Sequence, residues 1–328
     1  AVDVPSGLNA TDGTSGGPTF RAETTVTFHG RKVGHLVGIG PEVSGRVVIV
    51  DIGLGEGEAE FLHCEESDAP IPSRARTAHK WSAGSVAVVG GAPGMTGAAL
   101  LAASSALGAG AGSASIVCPA DSQAAYASAA PGLLTHGVGN SSQFLAEDAI
   151  TVLEYASRFD VLALGPGLGS DMEGFVRILL ERWNGPVVLD ADGINALPNP
   201  DALRNRAAPT VITPHAGEFH RLTSGPAGYV EVASLAKETG AMVVLKGNPT
   251  FVAGDELWMV DTGGPELATI GTGDVLSGIV AAFISAGLPP EVAARSAAYW
   301  HGETGASLAS RETVTAAALV EEVRRVIR

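Results

Sequence analysis

Cysteine is nearly absent from the chain. Cys64 and Cys118 are the only two in 328 residues, too few for a disulfide framework and without metal-ligand spacing, so a reducing, cytoplasmic compartment is expected. Aromatic residues make up 5% of the chain while hydrophobic residues reach 45%. That balance, rich in Ala, Gly and Val, suits helices packed closely on a sheet. No uncharged apolar stretch reaches roughly 18 residues, and no basic segment leads into an apolar one, so neither a membrane span nor a secretory leader is expected. Positive charge is scarce: the formal net charge is −15, which argues against a nucleic-acid partner because phosphate neutralisation needs a basic face. A small phosphorylated ligand stays open, since backbone amides at helix N-termini bind anions without any lysine. A Walker A sequence ending in Gly-Lys-Ser/Thr is also missing, and "GGAPGMTGAA" (90–99) lacks the spacing of a dinucleotide fingerprint.

The pattern of what is present indicates an α/β fold. "SVAVVGG", "SASIVCP", "FDVLALGPG", "PVVLDADG", "TVITPH" and "AMVVLKG" are apolar runs ending in glycine or polar residues. Helical stretches separate several of them: "TGAALLAASSALGAG", "DMEGFVRILLERW" and about Val230 to Glu238. Three further helices are expected to begin near Gly273, Pro290 and Thr315. Such alternation predicts a mainly parallel sheet covered by helices on both faces. Residues 1–57 form a separate section with the β-rich runs "TTVTFHG" and "GRVVIVDIG". A mixed-charge, proline-containing linker is expected over 58–76, and the main domain over 77–328.

In open parallel sheets, ligands bind beyond the carboxyl ends of the strands. The strand ends here carry "GPGLGSD", "DADGINAL", "TPHAGEF" and "KGNPT". His215 follows a proline at one strand end and faces the expected crevice, unless it merely bonds a loop. Glu218 is either a helix N-terminal charge or the holder of a metal-bound water. Asp190 and Asp192 are turn formers or organise water and Mg²⁺ near phosphates. Lys246, directly after "AMVVL", is a surface lysine or a point charge for a phosphate. "GTGDVLSG" (271–278) is the most informative stretch: Gly271 and Gly273 permit close backbone approach, and the helix after them presents free amides and a positive dipole end. Asp274 in its first turn is then either a helix cap, worth about 0.5–2 kcal/mol, or a base beside a bound phosphate.

Taken in order, "GGAPGMTGAA", "GPGLG", "DADGIN", "TPHAGEF", "KGNPT" and "GTGD" closely resemble the NAD(P)H-hydrate dehydratase family, over residues 77–328 and including "AHKWSAGSVAVVGG". The resemblance implies a ribokinase-like fold and nucleotide-dependent conversion of hydrated NAD(P)H back to NAD(P)H. By motif, Ala98, Gly167, His215 and Asp274 match positions that contact the hydrated dinucleotide. Lys246, Gly247, Asn248, Pro249 and Thr250, with Gly273, match the adenine-nucleotide site. Gly271, Thr272 and Gly273 make the anion hole, and Asp274 is the implied catalytic base. ADP or ATP as phosphoryl donor, Mg²⁺ and a homo-oligomeric state are implied with them. One departure is Ile270, where the family usually has glycine.

The section 1–57 resembles the last third of NAD(P)H-hydrate epimerase through "VDVPSGL", "TVTFHGRKVGHLVG" and "VVIVDIGLG". It implies that Asp3 contacts the epimerase substrate and that Ser6 belongs to a K⁺ site. The rest of that fold would be supplied by a preceding or separate portion. Two other readings compete: a small-molecule kinase of the same fold, such as a hydroxyethylthiazole kinase relative, and a non-catalytic nucleotide-binding module. Release of inorganic phosphate with NADH separates the dehydratase from the kinase, and turnover separates it from the module.

Overall fold

The computed structural model describes residues 1–55, 59–73, 83–204 and 206–327. The chain divides into two compact units, Ala1–Glu60 and Phe61–Arg328. In the first, β1 (Thr24–Phe28) pairs in parallel with β2 (Arg46–Val50), and the short helix α1 (Gly40–Ser44) precedes β2.

The second unit is built on one ten-stranded sheet. Its elements in chain order are β3 (Leu62–His63), β4 (Ser85–Val89), α2 (Thr96–Gly108), β5 (Ser113–Pro119), α3 (Gln123–Ala129) and β6 (Leu134–Val138). Then come α4 (Asp148–Ala156), β7 (Val161–Leu164), α5 (Glu173–Arg182), β8 (Val187–Leu189), α6 (Asp192–Asn195) and β9 (Thr210–Ile212). After α7 (Ala216–Thr223) and α8 (Tyr229–Thr239), the strands β10 (Met242–Leu245), β11 (Thr250–Ala253) and β12 (Leu257–Val260) complete the sheet. The chain closes with α9 (Thr272–Ser285), α10 (Pro290–Ala309) and α11 (Ala316–Val326). The strand order is β3-β12-β11-β10-β9-β8-β7-β4-β5-β6. All neighbours are parallel except β10/β11 and β11/β12. The antiparallel pairing follows from short connections, since a parallel return needs a long crossover.

This order places a switch point between β4 and β7. The chain steps outward through β5 and β6, returns to the other side of β4, and continues outward through β8, β9 and β10. The loops leaving β4 and β7 therefore run in opposite directions and open a crevice at their carboxyl ends.

The strands are buried on both faces, which explains why they read as continuous apolar runs. Val86, Val88, Ile116, Ala163, Val188, Val211 and Val244 share one core with α2, α9, α10 and α11. The alternate residues Ala87, Val89, Leu162, Leu164, Leu189 and Val243 are buried on the opposite face. There Val152, Leu179, Phe219 and Val232 on α4, α5, α7 and α8 are equally buried. Several elements lay beyond the sequence reading, among them β6, α4 and the β11–β12 hairpin.

The linker expected over 58–76 differs from what its described part, 59–73, does. Leu62 and His63 pair with Trp258 and Met259 of β12 as the outermost strand. Trp300 Nε1 donates to the Ala69 carbonyl and Arg295 Nε to the Asp68 carbonyl, both at 2.7 Å. Backbone groups satisfied in this way belong to a packed edge. The remaining linker positions 58 and 74–76, and the "AHKWS" portion (78–82) of the family-like start, lie outside the described residues, as do 56–57 and 77.

Helix α9 lies over β4, β7 and β8 and packs most closely on α2. Gly278 makes that approach possible: a Cβ there would stand 2.1 Å from both the Ala102 carbonyl oxygen and Ser105 Oγ. In Gly278→Ala the gain in helix propensity, about 1 kcal/mol, opposes an overpacking cost of about 1–3 kcal/mol or more against a fixed carbonyl. The variant is expected to unfold at lower urea concentration and lower temperature than the native chain. Equal stability would contradict the close α2–α9 contact.

Candidate active site

Five strand ends meet in the crevice, stitched together by backbone and side-chain contacts. The loop after β4 bonds the loop after β7 through Gly91 N–H to Pro166 O at 3.0 Å and Ala92 N–H to Gly167 O at 2.8 Å. Gly167 has φ 61°, and a Cβ there would stand 2.5 Å from Met95 O and 3.3 Å from the Ala98 Cβ. Ala98 and Gly167 are thus neighbours, and only glycine serves at the second position. The β7 loop is tied in turn to the start of α6, where Asp192 Oδ2 accepts from Gly169 N–H at 2.9 Å.

Asp190 directly follows β8 and is buried. Its Oδ1 accepts from Lys246 Nζ at 2.7 Å, which joins the end of β8 to the end of β10. Glu218, also buried, lies 3.8 Å from the same ammonium. Lys246 is 20% exposed at its side chain, so it is no solvated surface lysine. Burial works against its charge, but Asp190 and Glu218, with Asp274 beyond them, outweigh that and hold its pKa above the ordinary value.

His215 caps α7. Its Nδ1 accepts from the N–H groups of Gly217 (2.9 Å) and Glu218 (3.3 Å), and Glu218 returns the bond by accepting from His215 N–H at 2.8 Å. This reciprocal capping box determines the tautomer: with Nδ1 accepting, the ring hydrogen sits on Nε2. His215 remains half-exposed, with Nε2 3.5 Å from Glu218 Oε1, and its backbone bridges to Lys246. Glu218 therefore serves both as a helix N-terminal charge and as a wall of the lysine site.

The start of α9 completes the crevice. Gly271 is its N-cap with φ 93°. Thr272 N–H bonds Thr269 O at 3.3 Å, so of the expected anion hole Gly271, Thr272 and Gly273 the amide of Thr272 is already occupied; its hydroxyl donates to Leu267 O and Thr269 O, each at 2.8 Å. Among the described residues, the N–H groups of Gly271, Gly273 and Asp274 donate to no protein acceptor. These are the orphan donors of a helix start, and Lys246 stands beside them: a Cβ on Gly273 would be 3.2 Å from its Nζ.

Asp274 receives no capping hydrogen bond among the described residues, so the alternative of a plain helix cap loses its support. Burial raises its pKa to about 7, with Asp190, Asp192 and Glu218 adding to the rise and Lys246 opposing it. A carboxylate balanced in this way takes up a proton near neutrality.

Other matched residues are less engaged with this cluster. "KGNPT" spans the tight turn between β10 and β11, where Thr250 turns its hydroxyl back onto Gly247 O at 3.0 Å; Asn248–Pro249 is a cis peptide. Ile270 is 96% exposed and leaves the backbone of the anion hole clear. Asp3 and Ser6 belong to the first unit. Asp3 Oδ1 accepts from Thr27 Oγ1 at 2.9 Å and meets Lys32 Nζ at 3.0 Å. The Lys32 contact above all holds its carboxyl below the usual range. Ser6 is exposed and its carbonyl accepts from Phe20 N–H.

Sequence reasoning missed His301, whose Nε2 lies 2.9 Å from the Thr272 carbonyl oxygen. A single histidine in the alanine-rich run "SAAYWHGETG" has no spacing relation to a loop 29 residues earlier, so no local signal marks it.

Comparison with known proteins places this geometry. A family model described as NAD(P)H-hydrate dehydratase matches residues 86–325. The bifunctional NAD(P)H-hydrate repair enzyme Nnr of Moorella thermoacetica is 38% identical over 93% of this chain and 61% of that protein. The chain spans about three-fifths of the length of such curated relatives. The ADP/ATP-dependent NAD(P)H-hydrate dehydratase of Bacillus subtilis, co-crystallised with ATP and Mg²⁺, is 26% identical with a TM-score of 0.68, over 82% of this chain and 98% of that one. A ribokinase-like superfamily protein of Enterococcus faecalis shares the fold, with a TM-score of 0.72 at 22% identity over 81% of this chain and 95% of that one. The sheet is accordingly ribokinase-like, as the resemblance implied. Because the matched span runs from within β4 to within α11 and takes in every strand end of the crevice, the chain belongs to the NAD(P)H-hydrate dehydratase family.

Proposed function

We propose that the second unit dehydrates (S)-NAD(P)H hydrate to NAD(P)H with ADP or ATP as phosphoryl donor. The observation that carries this reading is the pairing of three free amides, at Gly271, Gly273 and Asp274, with a partly buried carboxyl at Asp274 whose pKa is raised to about 7. The amides suit the charge of a phosphoryl group in transfer, and the carboxylate suits the hydroxyl that attacks it.

Hydrated NAD(P)H carries a hydroxyl on its reduced ring, and hydroxide leaves poorly. Asp274 takes the hydroxyl proton as the hydroxyl oxygen attacks the terminal phosphorus of the nucleotide, and AMP or ADP departs. The new C–O–phosphate bond then breaks with the help of the ring nitrogen lone pair. Loss of a proton from the neighbouring carbon restores the double bond, releasing NAD(P)H and inorganic phosphate.

Lys246 offsets phosphate charge over an acidic floor, and Asp190 and Glu218 hold it in place. Gly247 to Thr250, with Gly273, take the nucleotide. Ala98, Gly167 and His215 take the hydrated dinucleotide, His215 presenting its Nε2–H. Among the described residues no three His, Cys, Asp or Glu side chains stand together as a metal cage, and Asp190 and Asp192 already have partners. Mg²⁺ thus belongs to this reading as the companion of the nucleotide phosphates. In the first unit the reading keeps Asp3 as an epimerase-substrate contact and Ser6 as part of a K⁺ site. A homo-oligomer and a further epimerase portion are the expected protein partners.

Absorbance at 340 nm after adding hydrated NADH, Mg²⁺ and either ADP or ATP tests the function directly. A nucleotide-dependent rise with release of inorganic phosphate is expected. A stable phosphorylated alcohol, or tight nucleotide binding with a flat trace, would overturn the reading in favour of a kinase or a binding module.

Asp274→Asn is expected to fold and to lose about 10²–10⁴-fold in turnover, the size of a lost general base. In the native chain kcat/KM is expected to rise with pH through about 7 as Asp274 ionises. Folded Asp274 holds its proton up to about 7, whereas an unfolded aspartyl loses it near 4. Its contribution to stability therefore falls as pH rises between those values. Asp274→Asn should then raise the Tm at pH 8, with a smaller gain at pH 5, when the two proteins are melted in parallel. A variant that keeps native turnover, or a gain that grows toward acid, would remove Asp274 from this role.

A further inference from the structure

The peptide group between Thr272 and Gly273 is held from one side only. Its N–H, on Gly273, is one of the free donors of the crevice. Its carbonyl, on Thr272, points the other way, since the two ends of a planar trans peptide are antiparallel. In an α-helix that carbonyl already accepts from the residue four positions on. Here it also receives the ring of His301, from α10, at 2.9 Å. A carbonyl oxygen only accepts, so His301 Nε2 carries the hydrogen.

We propose that His301 is a positioning residue for phosphoryl transfer: by donating to the Thr272 carbonyl, it sets the plane of the Thr272–Gly273 peptide so that the Gly273 N–H faces the transferred group. This inference rests on the reading of the α9 start as the anion hole.

Two further observations and one general principle support it. The hydroxyl of Thr272 is tied to Leu267 O and Thr269 O, so side chain and carbonyl are both fixed while the neighbouring N–H stays free. A hydrogen bond to one end of a peptide polarises it and strengthens donation from the other. His301 is almost wholly buried; burial above all, helped by the Lys246 charge and opposed by the Thr272 carbonyl, lowers its pKa to about 4. The ring therefore stays neutral through the working range and brings no second positive charge to the lysine site.

Glutamine and asparagine give a matched test, because the amide nitrogen of glutamine reaches about as far as Nε2 and that of asparagine does not. His301→Gln, His301→Asn and His301→Leu would be compared with the native chain in two assays. One is turnover of hydrated NADH. The other is Mg²⁺-dependent binding of the spent nucleotide, AMP or ADP, with and without aluminium fluoride, a planar mimic of the phosphoryl group in transfer. The expected result for Asn and Leu is a loss of about 10–100-fold in kcat and in the affinity added by fluoride, somewhat below the loss of a whole oxyanion donor. Nucleotide affinity without fluoride and KM should stay within about threefold, and Gln should recover most of the loss.

Equal behaviour of Gln and Asn, or a fall in Tm with native kcat per folded molecule, would overturn the proposal. Should His301→Leu not fold, the Gln–Asn comparison decides alone. A native chain that binds nucleotide and fluoride but never turns over hydrated NADH would defeat the dehydratase reading instead, and the fluoride affinities would still decide the role of His301.

Discussion

The ammonium of Lys246 stands 2.7 Å from Asp190 and 3.8 Å from Glu218, over a floor of carboxylates that would otherwise repel any phosphate brought to it. On a chain with a net charge of −15, the long-range field also works against an anionic ligand. Only a local arrangement can reverse that, and it has two parts. One is a partly buried cation whose partners keep it charged. The other is the N-terminal dipole of α9, whose free amides need no charged side chain. The two parts touch at Gly273, where a side chain would crowd the lysine.

The same contacts hold the fold around the site. Lys246 and Asp190 directly follow strands β10 and β8, which flank β9, and Glu218 begins the helix that follows β9. Breaking one member of a buried ion pair leaves an uncompensated charge, which costs far more than the intact pair contributes. The raised pKa of Asp274 is a consequence of that crowding: partial burial comes first, Asp190, Asp192 and Glu218 add to the rise, and Lys246 compensates only in part. What makes it costly to keep ionised in the folded chain is also what equips it to accept a proton near neutral pH.

The site depends as well on how closely α9 lies on its neighbours. Gly278 lets α9 approach α2, and His301 on α10 reaches the Thr272 carbonyl from the other side. The helix whose first turn faces the crevice is thus braced by two other helices. A small shift at Gly278 or at His301 would move the free amides, because all of them belong to the same first turn.

Much of this was legible in the order of residues, and for identifiable reasons. Strands buried on both faces must be continuous apolar runs, so β4, β5, β7, β8, β9 and β10 declare themselves. Parallel strands need helical crossovers, so the alternation declares the sheet, and loops at strand ends that approach a phosphate need glycine, which singles out "GTGD" and "GPGLG". Other features carry no local signal. Leu62 and His63 become an edge strand because Trp258 and Met259 lie alongside, and Trp300 and Arg295 satisfy the carbonyls that follow; the same composition without those partners reads as a linker. Whether Lys246 is solvated or paired depends on Asp190, 56 residues earlier in the chain, and the raised pKa of Asp274 depends on burial and on carboxylates from other strand ends. His301 is the extreme case, a lone histidine that acquires meaning only where α10 crosses the start of α9. Sequence alone determined the fold class and the residues that stand at the strand ends, because periodicity and glycine placement are local properties. Only the tertiary structure decided their charge states and partners, because burial and ion pairing are set by residues brought together from distant parts of the chain.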